Sequence, residues 1–212
     1  MFPGFILAGN TMIHANDPVK ILLTLPHDDL VPFVKRYYFK EISWVVLSHY
    51  FFSVLFLALW VQEGIDGAYD VTGWLSRFGL AVVAFVVLIP LHEAMHGVVY
   101  WILGAKDIRF RVSVRNAYAY AIAHHYVASA REFTWIAMVP FLAITSLFAV
   151  LLAAFPGQSF LIMGMILLHT AGCSGDWAMM NYVWFNRDKE LYTYDDADMK
   201  VTYFVTPEED RT

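Results

Sequence analysis

Four apolar stretches constrain this chain more than any other feature. They run from about Ile42 to Val61, Phe78 to Leu103, Thr134 to Phe155 and Ser159 to Phe185, and a bilayer core asks for about 20 helical residues. No water reaches backbone amides and carbonyls in hydrocarbon, so a crossing segment of this length satisfies them within a helix. Composition agrees: 59% of the 212 residues are hydrophobic and 16% charged, against about 45 to 50% and 25% in soluble domains. The expected fold class is an all-α polytopic membrane protein of about four transmembrane helices, with a small cytoplasmic β-hairpin between helices 2 and 3.

Three parts are expected: an interfacial or peripheral N-terminal segment over 1–41, a four-helix transmembrane domain over 42–185, and an acidic cytoplasmic tail over 186–212. The first part mixes apolar clusters with charges and four prolines, which suits a membrane surface better than a span. Lys20, Lys35, Arg36 and Lys40 precede the first stretch, whereas the link to the second offers Glu63, Asp66 and Asp70 against Arg77. Positive charge stays on the cytoplasmic side, so both termini are expected there. Trp44, Trp101, Trp135 and Trp184 near span ends read as interface anchors. Most of the formal charge of -5 belongs to the tail, and no basic face for nucleic acid exists.

Within 106–128, Ile108, Phe110, Val112 and Val114 alternate with Arg109, Arg111, Ser113 and Arg115. Asn116 and a Tyr- and Ala-rich run to Val127 follow, a hairpin pattern. It reads as a connector on the membrane surface or as a sheet edge that takes an extended substrate by strand addition. The tail segment Met199 to Val205 is a further candidate strand.

The second stretch contains His92-Glu93-Ala94-Met95-His96, the H-E-x-x-H pattern of helix-borne zinc sites. Residues four apart share a helix face, so both imidazoles can meet one ion; Glu93, about 100° round, reaches a water on that ion. Ionisable groups inside a span cost about 2.5 to 3.5 kcal/mol each and mark functional cavities. The bland alternative is a packed polar patch between helices.

A catalytic zinc ion takes three protein ligands and keeps one position open, so one ligand is missing from the motif. Asp176 is the only acid within the fourth stretch, and counting depth from the span starts near Phe78 and Ser159 puts it level with His92 and His96. Gly172, Ser174 and Gly175 beside it allow close helix approach. A capping or interhelical role without metal is its alternative. His169 reads as a partner behind the ligands or a core histidine rather than a ligand, and Cys173 as a small buried residue. His124 and His125 read as solvent-edge residues, with a substrate role as the alternative. Pro90 and Pro140 lie inside spans and loosen them.

His-Glu-Ala-Met-His-Gly in an apolar helix, a hairpin, a span with an internal proline and Ser-Gly-Asp-Trp in the last span together resemble the bacterial "putative zincin peptidase" membrane proteins. These in turn resemble site-2 protease-like intramembrane metalloproteases. The resemblance, over about 78 to 190, implies His92, His96 and Asp176 as ligands of one Zn2+ ion and Glu93 as general base. The expected function is a zinc-dependent intramembrane or membrane-embedded endopeptidase, hydrolysing peptide bonds of a membrane-associated protein through a metal-activated water. The alternatives are a non-catalytic zinc-binding membrane adaptor and a zinc hydrolase of a lipid-like substrate.

Overall fold

The computed structural model describes residues 19–113 and 118–208. In chain order it shows β1 (Val19–Pro26), α1 (Leu30–Phe39), α2 (Trp44–Asp66), α3 (Val71–Ile102), β2 (Ile108–Ser113), β3 (Tyr118–Ala123), β4 (Val127–Ser129), α4 (Ala130–Ala154), α5 (Ser159–Gly172), α6 (Ser174–Phe185), β5 (Tyr192–Asp196) and β6 (Val201–Pro207). Much of the expected interfacial segment, 1–18, and the expected hairpin turn around Asn116 lie outside the described residues.

The chain is mostly helical, and α2, α3 and α4 are long and apolar enough to cross a membrane. Their starts are written locally. Ser43 caps α2 by accepting from the Val45 amide, Asp70 caps α3 through the Gly73 amide, and Ser129 with Glu132 forms a capping box at α4, each satisfying amides that a first turn leaves open. Large apolar side chains such as Phe51, Val54, Val83, Val87 and Val150 remain exposed on these helices. In water that surface would be costly; against lipid tails it is the solvated state.

The fourth apolar stretch departs from the single helix expected over Ser159 to Phe185. It divides into α5 and α6 at Cys173, and α5, with 14 residues, is only about 21 Å long. Gly172, Ser174 and Gly175 are poor helix formers, and the Thr170 carbonyl at the break accepts from His49 Nε2 of α2 at 2.8 Å. His49 is fully buried, held by the Tyr38 hydroxyl at 2.7 Å and stacked on Trp177. One imidazole thus clasps the joint between α5 and α6. At Gly172 a Cβ would come within 2.9 Å of Phe85, so only glycine lets α3 pass this closely.

Strands play a larger part than the one hairpin expected. β2 and β3 do pair antiparallel, Ile108 opposite Ala123 and Ser113 opposite Tyr118. A second sheet has the order β1-β6-β5-β4, with β1 and β6 joined from Val19↔Pro207 to Pro26↔Val201. The tail strand therefore exists, and its partner is the N-terminal segment. Period-two alternation reveals a strand but not which distant strand it joins. The β5–β6 turn is fixed by Asp196 Oδ1, which accepts from the Asp198 and Met199 amides. A bridge from His124 to Asp195 links the two sheets.

Candidate metal centre

The H-E-x-x-H turn lies in the later half of α3, below Pro90. His92 Nε2 and His96 Nε2 stand 3.1 Å apart. Asp176, in the first turn of α6, places Oδ2 3.2 Å from His92 Nε2 and Oδ1 3.4 Å from His96 Nε2. Donors bound at about 2.0 to 2.1 Å in a tetrahedral zinc site stand about 3.3 Å from one another. The two Nε2 atoms have the spacing of neighbouring zinc ligands, the Asp176 carboxylate faces one with each of its oxygens, and two imidazoles with one carboxylate suit that ion chemically.

The ring atoms facing away are tied down. His96 Nδ1 donates to the Ile136 carbonyl of α4 at 2.8 Å, which leaves the Nε2 lone pair pointing at the cluster. His92 Nδ1 is 3.1 Å from His169 Nε2, and the same His169 atom lies 3.7 Å from Cys173 Sγ. His92, His169 and Cys173 form a second possible donor group. When His92 Nε2 faces the first group, however, its Nδ1 carries the hydrogen and donates to His169, so His169 Nε2 has no lone pair to spare. His169 stands behind His92 as an orienting partner.

Glu93 sits beside this cluster, and its Oε2 is buried with no hydrogen-bond partner among the described residues. A polar atom in that state costs about 1 to 3 kcal/mol unless something else contacts it, and the space it faces is where a substrate or water would lie. His92, Glu93 and His96 offer atoms within 4.8 Å of one another. Two cavities meet here. One of about 660 Å³ is largely apolar and runs between α1, α3 and the α5–α6 joint, with Val34, Phe39, Phe85 and Ile89 on its walls. The other, of about 120 Å³, extends toward the sheets. Glu93, Asp176, Leu30, Met179 and the β3 residues Ala119 and Tyr120 line both.

His124 and His125 line neither cavity. Their rings stack at 3.6 Å; His124 Nδ1 accepts from the Ala197 amide and its Nε2 faces Asp198 at 3.4 Å, while His125 Nε2 lies 3.8 Å from Asp196. They fasten the hairpin to the tail. His124 and His125 form a group with Asp196 whose spacing could suit a cation, but the Nδ1 acceptor role fixes hydrogen on His124 Nε2 and removes the lone pair a metal needs.

Sequence reasoning passed over His49, His27 and Asp195. His49 carried a usable signal, being an ionisable residue inside an apolar span. The other two lie in segments whose partners are distant in sequence and carried none. Residues 85–191, half of the chain, match the model of the family described as "Putative zincin peptidase", and neither a curated protein nor a solved structure matches.

Proposed function

Because this chain belongs to the zincin peptidase family, we propose that it is a membrane-embedded zinc endopeptidase in which His92, His96 and Asp176 hold one Zn2+ ion and Glu93 is the general base. The observation that carries this reading is the pair of Nε2 atoms 3.1 Å apart, each faced by one oxygen of the Asp176 carboxylate at 3.2 and 3.4 Å, beside a Glu93 Oε2 with no hydrogen-bond partner among the described residues. Bound zinc supplies a Lewis acid that polarises the scissile carbonyl and acidifies a water. Glu93 takes the proton of the attacking water at Oε2 and delivers it to the leaving amine. His96 and His92 are kept in their ligand tautomers by Ile136 and His169, and the walls of the two cavities limit bulk water at the reacting bond.

The substrate in this reading is a membrane-associated protein or peptide whose apolar segment enters the larger cavity in extended form, with the Ala119–Ala121 edge of β3 as the template for strand addition. α5 and α6 together make the fourth crossing, both termini and the hairpin face the cytoplasm, and the membrane is that of a bacterial cell. Lys and Arg near the cytoplasmic span ends support this orientation.

Comparative membrane proteomics of cells carrying the native protein or Glu93→Gln tests the proposal. A membrane protein that accumulates uncut with Glu93→Gln, and is cut by purified native protein in a zinc-dependent way, is the expected result. An unchanged cleavage pattern would overturn the assignment of Glu93, and of peptidase activity with it.

A further inference from the structure

The smaller cavity is lined by groups that zinc chemistry does not use. His27 comes from the turn after β1, Tyr100 from α3, Tyr120 from β3, Asp195 from β5 and Thr202 from β6. They are joined in a chain: His27 Nδ1 lies 2.9 Å from the Tyr120 hydroxyl, His27 Nε2 3.2 Å from Thr202 Oγ1, and Thr202 Oγ1 donates to Asp195 Oδ1 at 2.6 Å. His27, Asp195 and Thr202 lie outside the 85–191 region that carries the family match.

Counting hydrogens gives the chain a direction. Thr202 has one hydroxyl hydrogen, and at 2.6 Å it goes to the carboxylate. The Thr202 oxygen then accepts from His27 Nε2–H, and His27 Nδ1 accepts from Tyr120. His27 fits this role, since burial foremost, with Lys200 and Arg111 nearby, lowers its pKa to about 4 and keeps it neutral. The Tyr100 hydroxyl and the Ala123 amide also lie near Asp195 and oppose the rise in its pKa. Every donor of the chain therefore points toward Asp195, a carboxylate only 6% exposed that no cation among the described residues pairs within 4 Å. Burial lifts its pKa to about 6, so it remains an anion at neutral pH. A carboxylate accepts about four hydrogen bonds, and Thr202 supplies one, at Oδ1.

Phe133, Ile136 and Ala137 form apolar walls of the same cavity. At about 120 Å³ it is somewhat smaller than an engineered cavity of about 150 Å³ that holds benzene, which limits an occupant to a slender side chain. We propose that this cavity is the subsite for one substrate residue beside the scissile bond, and that it selects an unbranched side chain ending in a cationic amine, lysine foremost, with Asp195 as its counter-charge. The apolar walls take the methylene stem, and the ammonium exchanges its hydration for an acceptor position of Asp195 that Thr202 leaves open. Glu93 and Asp176 line both cavities, so the bond cut would separate an apolar segment from that residue. The place of this pocket in a reaction rests on the peptidase reading; the preference for the amine does not.

The test is binding of two N-acylated amino-acid hydroxamates, of lysine and of norleucine, to the zinc-loaded native protein in detergent by titration calorimetry. The two share a carbon chain and differ in the amine. Lysine hydroxamate should bind at least about tenfold more tightly, and Asp195→Asn should erase the difference. Equal affinity for the two in native protein, or a difference that survives Asp195→Asn, overturns the proposal. If Asp195→Asn does not fold, the native comparison still decides. Hydroxamates need no hydrolysis, so a protein that shows the preference and cuts no peptide would sink the peptidase reading alone.

Discussion

The Ile136 carbonyl and His96 Nδ1 meet at 2.8 Å because Pro140, one turn further along α4, has no N–H to offer that carbonyl. A proline inside a helix frees the acceptor four residues before it, and here an imidazole of another helix fills the vacancy. The proline of α4 thus acts on His96, a proposed metal ligand, through a hydrogen bond it fails to make. Pro140→Ala restores the competing donor and should weaken zinc binding about tenfold, the lower end for loss of a ligand's orienting partner. Competition with a chromophoric chelator measures it, and unchanged affinity would refute the link.

Removing a donor should differ from removing the base. His92→Ala, His96→Ala and Asp176→Ala should each purify with well under one zinc per chain. Glu93→Gln should keep its metal and lose about 10² to 10⁴ in kcat on any cleaved peptide. Metal analysis of the four purified variants, beside peptide cleavage, separates these outcomes; full zinc in Asp176→Ala would leave the carboxylate out of the ligand set.

His49 is expected to act on the site through the fold. His49→Phe keeps an aromatic ring against Trp177 but strands the buried Tyr38 hydroxyl, at about 1 to 3 kcal/mol, and leaves the Thr170 carbonyl with the Cys173 amide alone. The midpoint of thermal unfolding in detergent should drop by several degrees, and zinc affinity should fall as Asp176 loses its fixed position. A variant with native unfolding and native zinc affinity would show that the α5–α6 joint holds without the clasp.

The sheet joining the two ends of the chain carries two opposed titrations. His27, with its pKa lowered to about 4, stays neutral in the fold while an unfolded histidine takes up a proton below about 6.5. Its contribution to stability is therefore present above that value and is lost as pH falls toward 4. Asp195, raised to about 6, binds a proton in the fold before it does unfolded, so its contribution is present at low pH and is lost as pH rises through 6. Hydrogen exchange of the β1, β5 and β6 amides, corrected for intrinsic rates, should change little between pH 6 and 4 in native protein. In His27→Gln, protection should increase as pH falls. Identical pH profiles for the two would contradict the assignment.

What the sequence determined by itself is what short-range geometry controls. His92, Glu93 and His96 lie within five residues of one helix, so helical periodicity alone brings both imidazoles to one face. Apolar length marked α2, α3 and α4 as spans, and alternation marked β2. For Asp176, a count along two straight helices reached the layer of the histidines, and its carboxylate does lie against both rings, although the helix that bears it is broken at Cys173. Only the tertiary structure decided the rest. The clasp of His49 on Thr170, the pairing of β1 with β6 and the path from Tyr120 through His27 and Thr202 to Asp195 join residues up to 188 positions apart, Val19 and Pro207. No local pattern encodes such contacts, because a hydrogen-bonding side chain reads the same in sequence whatever partner folding brings to it. The packing of α1 and the sheets around α3 chooses those partners, and with them the shape and charge of the cavities beside Glu93.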